Sequence, residues 1–205
     1  HVWLDETYIG KQDSLCAPHI YNFPKNLSIG IHRLTILVDN DDLPPIGDPH
    51  QISDHTQTNW NGIIGRIELQ AFDYIFMQDI QVFPDVDNRK ARLCISIRNM
   101  TESAAEGKFV VSAESFNTAE KHVVEPYAFE TDIADGCSTV EFDFDLGEDV
   151  LLWDEYNPNI YKLTVSLETR IDNKSYYDCR TQEFGMRKFL AAGTQFSIND
   201  RTVFL

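Results

Sequence analysis

Apolar and polar residues alternate along much of the chain, and this period of two predicts β-strands rather than helices. The clearest case starts at residue 161, where one face is apolar and the other polar over eight residues. The apolar positions are Tyr161, Leu163, Val165 and Leu167. Such alternation is typical of a half-buried strand. Just before it, Pro158 fixes its own φ and keeps Asn157 out of the helical region, so a turn is forced there.

The same alternation recurs through the second half of the chain. Further strands are predicted over 74–84, ended by Pro84, and over 90–99, 107–117, 139–146 and 175–184. About seven strands in roughly 110 residues match an immunoglobulin-like sandwich. A tyrosine that opens a late strand just after a corner, as Tyr161 does, fits the tyrosine corner of such domains. No segment shows a convincing helical period, so the predicted fold class is all-β.

The first 71 residues predict about four or five strands. Residues 1–10 read as a strand, a turn and a returning strand, 30–40 as a strand, and 63–71 as a last strand. A jelly roll needs about eight strands. We therefore expect that the sequence begins partway into such a domain, or that the domain is unusually short. The long segment 41–58, with three prolines, predicts a loop of the kind that often binds ligands.

Composition limits the partners. The 205 residues are 42% hydrophobic and 24% charged, which is ordinary for a globular chain, and 33 acids against 17 bases give a net charge of −16. This charge repels nucleic acid and anionic membranes, but it is compatible with a neutral partner such as a carbohydrate. No apolar run approaches the roughly 20 residues of a membrane helix. We find no signal peptide, and the chain begins without an initiator methionine.

The cysteines are widely spaced at positions 16, 94, 137 and 179, with no CxxC pair. This spacing argues against a zinc knuckle at Cys16, Cys94, Cys137 and Cys179. Cys94 and Cys179 both lie on predicted strands of the sandwich, so a disulfide between them is one reading. Free buried thiols, packed as small hydrophobes, are the favoured reading at this low cysteine density.

Three segments carry a resemblance to a known family. Trp153, an acidic turn, Asn157-Pro158 and the strand opened by Tyr161 together resemble the signature of glycoside hydrolase family 2, which lies in an immunoglobulin-like domain before the catalytic barrel. Residues 184–189 and 196–205 resemble the segment that leads into that barrel, and residues 59–69 resemble the last strand of the family's sugar-binding domain.

The resemblance implies two β-sandwiches in tandem. Residues 1–73 would be the later part of a galactose-binding-like jelly roll, 74–185 the immunoglobulin-like sandwich, and 186–205 the lead-in to a barrel that the sequence does not contain. The chain would then be a non-catalytic scaffold and sugar-binding region of a retaining β-galactosidase-like enzyme. It would position the barrel and shape its substrate pocket, so its partners would be a β-glycoside and the barrel of the same chain. The resemblance also allows a homo-oligomer and implies a periplasmic or extracellular location in a bacterium.

Two other functions compete with this reading. One is a free-standing carbohydrate-binding module, which predicts saturable glycan binding that is lost in Trp60→Ala. A purely structural adhesion-type sandwich has less support, because it does not explain the segment from Phe184 to Leu205.

The candidate sugar-binding residues cluster in and just after the long loop. They are Asp54, His55, Asn59, Trp60 and Asn61. Carbohydrates need polar groups for their hydroxyls and an aromatic face for the C–H side of the ring. For Trp60 and Asn61 a structural role in the core or in a turn is favoured. For Asp54, His55 and Asn59 a sugar-binding role and a structural role are equally supported.

Other notable residues have structural interpretations. Trp153 is expected in the core or at a domain interface, and Arg187 in a structural ion pair. The acidic residues between 143 and 155 could bind calcium, but their spacing lacks the EF-hand order and favours a solvated face. Retaining glycoside hydrolysis needs two carboxylates about 5 Å apart, and no motif here places such a pair. The sequence therefore predicts no catalytic residue, no metal and no cofactor.

Overall fold

The computed structural model describes residues 1–14, 17–24, 27–39 and 62–204. Their contacts divide the chain into two units, His1–Leu69 and Gln70–Leu205. Within the described ranges every regular element is a β-strand, as the all-β prediction requires. No helix in these ranges has the length and apolar character needed to cross a membrane.

The first unit contains a small antiparallel sheet. Its strands are β1 (Val2–Leu4), β2 (Thr7–Gly10) and β3 (Leu34–Ile36), in the order β2-β1-β3. The predicted hairpin over residues 1–10 is confirmed, with a left-handed Asp5 (φ 53°) at its tip. The Asp5 carboxylate accepts a hydrogen bond from the Arg33 amide at 2.9 Å and meets the His32 ring at 2.8 Å. These contacts connect the hairpin to the residues that lead into β3.

Two strand predictions in this unit are wrong. The strand expected over 30–40 is reduced to three residues, because its partner β1 offers only three residues to pair with. The strand expected over 63–71 is absent: Ile64, Ile67 and Leu69 are exposed and no described segment pairs with them. An extended segment needs a neighbour for its backbone amides and carbonyls before it becomes part of a sheet. A jelly roll for this unit stays a prediction.

The larger part of the second unit is a two-layer antiparallel sandwich of seven strands. They are β4 (Ile75–Asp85), β5 (Lys90–Asn99), β6 (Ala105–Ser115), β7 (Val123–Ile133), β8 (Gly136–Asp145), β9 (Tyr161–Ile171) and β10 (Lys174–Phe184). One sheet has the order β4-β5-β8 and the other β10-β9-β6-β7. This is the sandwich that the alternation predicted.

Alternating residues of both sheets fill the space between them. The largest fully buried side chains include Tyr161, Phe109 and Phe144. At the side where β7 faces β8, Phe129 stacks on Phe109 with ring centroids 5.0 Å apart and meets Phe142 edge-on at 4.6 Å. Because such side chains leave water completely, this core supplies most of the stability of the second unit.

Proline positions explain two further differences from the prediction. Pro84 does not end its strand, because β4 lies at a sheet edge, where a residue without an N–H is tolerated. Strand β7 was not predicted at all, since Pro126 interrupts its alternation. Pro126 lies where the register between β6 and β7 shifts, in the stretch that separates the pairs Val111–Tyr127 and Ala113–Val124. An irregular edge strand of this kind accommodates a proline.

Three short strands follow the sandwich. They are β11 (Phe189–Ala192), β12 (Gln195–Ile198) and β13 (Arg201–Val203), paired in sequence as an antiparallel sheet. Asn199 and Asp200 connect β12 to β13, and both have positive φ, 48° and 65°. Two left-handed residues in a two-residue hairpin loop define a type I′ turn, for which Asn and Asp are well suited. This sheet occupies the segment whose sequence resembles the lead-in to a barrel.

Candidate functional site

One region of the described chain, here called the joint, combines side-chain hydrogen bonds, ion pairs and cation–π contacts. It comprises the segment 151–160, residues 184–189, and the turn 199–201, all within the second unit. The joint is where the end of the sandwich meets the three-stranded sheet. Its geometry is therefore the best guide to what this part of the protein does.

Tyr161 holds the segment 151–160 against the sandwich. Its ring is fully buried at the start of β9, and its hydroxyl accepts a hydrogen bond from the Leu151 amide at 2.8 Å. The same hydroxyl lies 2.7 Å from Nδ1 of His122. This is the tyrosine corner that the sequence predicted. Burial raises the pKa of the Tyr161 hydroxyl, so it remains protonated and can donate as well as accept.

The acidic turn after Trp153 is built by its own side chains. One carboxylate oxygen of Asp154 accepts hydrogen bonds from the amides of Asn157 and Tyr156 at 2.7 and 2.8 Å, and these bonds lower the pKa of Asp154. The Asn159 amide group donates back to the carbonyl of Leu152 at 2.9 Å. Asp and Asn are common in turns because their short side chains can bond to nearby backbone groups, as Asp154 and Asn159 do here.

Trp153 contacts both Gly185 and Arg187. A Cβ added to Gly185 would come 3.0 Å from three atoms of Trp153, so the absence of a side chain at residue 185 lets the indole pack closely against the backbone. The Arg187 guanidinium lies 4.8 Å from the centroid of a Trp153 ring, a cation–π contact. In the part of the chain that the structure describes, Arg187 forms this contact instead of the expected ion pair. The interface role expected for Trp153 agrees with its partly buried position.

Asn199 connects three parts of the joint through one side chain. Its Nδ2 donates to the carbonyl of Trp153 at 2.9 Å, while its Oδ1 accepts from the Lys188 amide at 2.8 Å. Its own amide donates to the Lys188 carbonyl at 2.9 Å. Met186 accepts a further bond from the Trp153 amide at 2.9 Å. The segment between β10 and β11 is therefore bonded both to the Trp153 segment and to the last turn.

Ion pairs surround these hydrogen bonds. The ammonium of Lys188 lies 2.9 Å from Asp87 and 3.3 Å from Asp200, and these two carboxylates raise the pKa of Lys188. Arg201 pairs with Glu155 at 2.6 Å and lies over the ring of Tyr156 at 5.1 Å. The pairs are solvent-accessible, so each stabilises only modestly. Together they orient the last turn relative to the acidic turn and to the β4–β5 loop.

A shallow cleft of about 380 Å³ lies beside the joint, lined by residues 84–87 and 187–189. The three-stranded sheet next to it has one apolar face. On that face the rings of Phe189 and Phe196 stack with centroids 5.4 Å apart and remain 48% and 38% exposed, whereas Val203 is buried. Stacked aromatic rings that remain this accessible are typical of surfaces made for a neighbouring structure.

The sugar-binding residues predicted from the sequence, Asp54, His55, Asn59, Trp60 and Asn61, lie outside the described residues, as does Cys16. Sequence reasoning missed the part played by Asn199, which bonds across 46 positions of the chain to Trp153. Its one local signal was the pair Asn199-Asp200 between two short apolar runs, which indicates a tight hairpin turn.

The cysteines and acids of the second unit have structural surroundings. Cys94, Cys137 and Cys179 are all free, so the disulfide considered between Cys94 and Cys179 does not form. Cys137 and Cys179 are exposed, against the expectation of buried thiols. Among the described residues, no group of three His, Cys, Asp or Glu side chains could hold a metal ion. The acidic residues of the joint serve instead in turns and ion pairs with Arg201 and Lys188.

The sandwich and joint define an immunoglobulin-like β-domain with a structured C-terminal extension. The model of the family "Glycosyl hydrolases family 2" matches residues 74–187, more than half of the chain. The chain belongs to this glycoside hydrolase family.

The chain is also similar to individual proteins. It is 28% identical over 212 residues to the β-galactosidase of Thermoanaerobacterium thermosulfurigenes, an alignment that covers 98% of this chain and 27% of that enzyme. The chain thus spans about a quarter of the length of this curated relative. Among solved structures, Parabacteroides merdae β-glucuronidase is 16% identical with a TM-score of 0.44, over 64% of this chain and 16% of that one. A Bacteroides uniformis β-glucuronidase is also 16% identical, with a TM-score of 0.45 over 63% and 16% of the two chains.

Proposed function

We propose that this chain is the non-catalytic scaffold region of a β-galactosidase-like retaining glycoside hydrolase, and that the joint sets the orientation of the catalytic barrel. The observation that carries the proposal is the joint itself. The segment that leaves the sandwich is bonded to the Trp153 segment by Met186, and Asn199 connects Lys188 to the same segment. A segment connected at so many points transmits the orientation of the sandwich to whatever follows it.

The apolar face of the three-stranded sheet supports the same proposal. Phe189 and Phe196 are stacked and half-exposed beside the arginine and lysine of the joint. Covering such a face removes apolar surface from water, which is favourable by about 25 cal/mol per Å². A barrel that followed this sheet in the parent protein is the neighbour that we propose for it.

The catalytic step is assigned to the parent protein and not to this region. A retaining mechanism requires an acid/base and a nucleophile about 5–5.5 Å apart on opposite sides of the glycosidic bond. The acids of the joint are already engaged in turns and ion pairs, as Asp154 and Glu155 show. The 27% share of the β-galactosidase that this chain covers leaves ample length there for a separate catalytic domain.

We further propose that the segment holding Asp54, His55, Asn59, Trp60 and Asn61 forms one wall of the substrate pocket in the parent enzyme. Its support is the chemistry of those side chains: two of them are carboxylate or imidazole groups, two are amides, and one is an indole. This combination suits a sugar ring, which presents hydroxyls at its rim and C–H groups on its faces.

The scaffold role is tested with the parent open reading frame. Asn199→Gly removes the side-chain bonds of the joint but keeps a residue that tolerates positive φ. We expect a lower kcat on an aryl β-galactoside, with KM changed less, because the variant displaces the barrel and leaves the groups that bind the sugar intact. Asp200→Gly in the same turn is the matched control. An unchanged kcat for both variants would contradict the orienting role.

A further inference from the structure

Strand β8 has a partner strand on one side only, within the part of the chain that the structure describes. It lies at the end of the sheet β4-β5-β8 and pairs with β5 in an unbroken register from Gly136 to Asp145. An edge strand presents unpaired amides and carbonyls on its outer side, and these groups are a template for a further strand. The side of β8 that faces away from β5 is here called the open edge.

The edges formed by β4 and β7 carry features that hinder the addition of a strand. Strand β4 has a register shift between Met77 and Asp79, and it contains Pro84. Strand β7 has Pro126 within its own register shift. Bulges and prolines interrupt the regular row of backbone groups that a further strand would need.

The edge of β10 is covered by the segment that enters β4. The Tyr177 amide donates to the Asp73 carboxylate at 3.4 Å, and the Met77 amide donates to the carboxylate of Asp178 on β10 at 2.7 Å. Strand β8 contains no proline and no register shift, and no described segment covers it. The open edge is therefore the most accessible edge of the described sandwich.

Partly exposed apolar side chains border the open edge on the inner side of the sheet. Phe142 on β8 is half-buried, and its ring centroid lies 5.9 Å from that of Tyr127 on β7, which is 46% exposed. Val140 on β8 is also half-buried. A strand added to the open edge would cover these side chains with its own inward-facing residues, and the removal of apolar surface from water is favourable.

The two strands that border this side of the sandwich are acidic, and neither contains Lys or Arg. Arg92 on β5 lies 3.6 Å from one of the acids of β8, and this exposed pair stabilises little. Like charges opposite each other on paired strands are destabilising, whereas opposite charges are favourable. Two copies of β8 would bring only acids to the new pairing, and the net charge of −16 opposes self-association as well. The acids are Glu125, Glu130 and Asp132 on β7 and Glu141, Asp143 and Asp145 on β8.

We propose that the open edge binds an extended segment of a partner protein in which Lys or Arg alternate with apolar residues. The added strand pairs its backbone with β8, places its basic side chains beside Glu141 and Asp143, and places its apolar side chains over Phe142 and Tyr127. This is recognition by β-strand addition, in which backbone bonds supply affinity and alternate side chains supply specificity. The proposal does not rest on the scaffold role, because it requires only the sandwich.

A synthetic peptide in which Lys and Val alternate is the probe, titrated into residues 1–205 at about 0.15 M salt. Nuclear magnetic resonance spectra should show saturable shifts that are largest for the amides of β8, and hydrogen exchange there should slow by about tenfold. A peptide with the same composition, but with its Lys residues grouped before its Val residues, has equal charge without the alternation. It should bind about tenfold more weakly, because it cannot place both kinds of side chain on the correct faces.

Charge reversal on β8 tests the choice of partner. The double variant Glu141→Lys and Asp143→Lys should bind the Lys–Val peptide about tenfold more weakly and should bind a Glu–Val peptide instead. The matched control makes the same change of charge on the hindered edge, with Glu130→Lys and Asp132→Lys on β7. It should bind the Lys–Val peptide within about threefold of the natural chain, because salt screens the more distant charges.

Four results would overturn the proposal: no saturable binding, shifts centred outside β8, an equal loss in the two double variants, or self-association of the natural chain through β8 in sedimentation experiments. If the β8 variant does not fold, the two Lys–Val peptides decide in the natural chain, and equal binding of both would overturn the proposal. None of these measurements involves turnover by the parent protein, so a failure here and a failure of the scaffold role are distinguishable.

Discussion

The guanidinium of Arg187 lies over the indole of Trp153, with Cζ 4.8 Å from the ring centroid, while Gly185, two residues earlier, lies close to the same side chain. Both contacts come from the segment that leaves the sandwich. The segment that leaves the sandwich therefore packs against Trp153, and substitutions that disturb this packing should lower the stability of the joint.

Trp153→Ala should destabilise the chain by about 2–4 kcal/mol, somewhat less than a fully buried aromatic, because the side chain is only partly buried. Arg187→Ala should cost less, about 0.5–1 kcal/mol. Urea unfolding followed by circular dichroism gives both values. The double variant should lose less than the sum of the two single variants, since both remove the same contact. Strict additivity would show that the two residues do not interact.

Gly185→Ala should destabilise the chain by about 1 kcal/mol, because the new methyl group would lie 3.0 Å from three atoms of Trp153 and the indole would have to shift by a few tenths of an ångström. The backbone of Gly185 is not in the left-handed region, so the effect isolates the close approach. The matched control is the same substitution in the Trp153→Ala background, where two of the three 3.0 Å contacts are gone and only the one to Cβ remains, so the loss should be smaller. If Gly185→Ala is equally harmful there, the close approach to Trp153 is not the cause.

Asn199→Gly should destabilise residues 1–205 by about 1–2 kcal/mol, the value of two side-chain hydrogen bonds. Glycine tolerates the positive φ of this turn, so the loss reports the bonds to Trp153 and Lys188 and not the backbone conformation. Asp200→Gly in the adjacent position should stay within about 0.5 kcal/mol, since it removes only an exposed ion pair. Equal effects of the two variants in thermal unfolding would contradict the assignment.

The alternation of apolar residues was sufficient to predict most of the sandwich. Strand β5 has the predicted bounds, and Tyr161 occupies the predicted corner. The pattern failed where a partner strand decides the outcome. Residues 63–71 alternate but form no strand in the structure, whereas β7 contains a proline and still forms because β6 lies beside it. Local pattern does not reveal which strands will be neighbours.

The joint was less accessible to sequence reasoning. Its turn residues were visible, because Asp154, Asn157 and Pro158 are turn formers by their own chemistry. Its long-range bonds were not, since Asn199 and Trp153 are 46 positions apart and neither residue type specifies the other. The same limit applies to His122, whose link to Tyr161 spans 39 positions. Such contacts can be predicted only once the strand order is known, because the strand order decides which distant residues become neighbours.

Asp5 and His32 should give the first unit a stability optimum in mild acid. The hydrogen bond to Asp5 raises the pKa of His32, and the same bond lowers the pKa of Asp5. The His32 contribution is complete below about pH 6.5 and is lost as pH rises through the raised value. The Asp5 contribution is present above about pH 3.9 and is lost as pH falls through the lowered value.

This pair is tested by titrating the His32 ring signals in nuclear magnetic resonance spectra. Asp5→Asn should lower the pKa of His32, because the charged partner is gone. Glu6→Gln, at the exposed neighbouring position of the hairpin tip, is the control and should leave it unchanged. If the pKa of His32 is the same in Asp5→Asn as in the natural chain, the 2.8 Å contact is not present in solution.

The central proposal is that this region supports glycoside hydrolysis without performing it. The most direct measurement compares aryl β-glycoside turnover by residues 1–205 with turnover by the product of the parent open reading frame. We predict hydrolysis with retention by the parent product and none by residues 1–205. Turnover by residues 1–205 that a single Asp or Glu substitution abolishes would contradict the proposal.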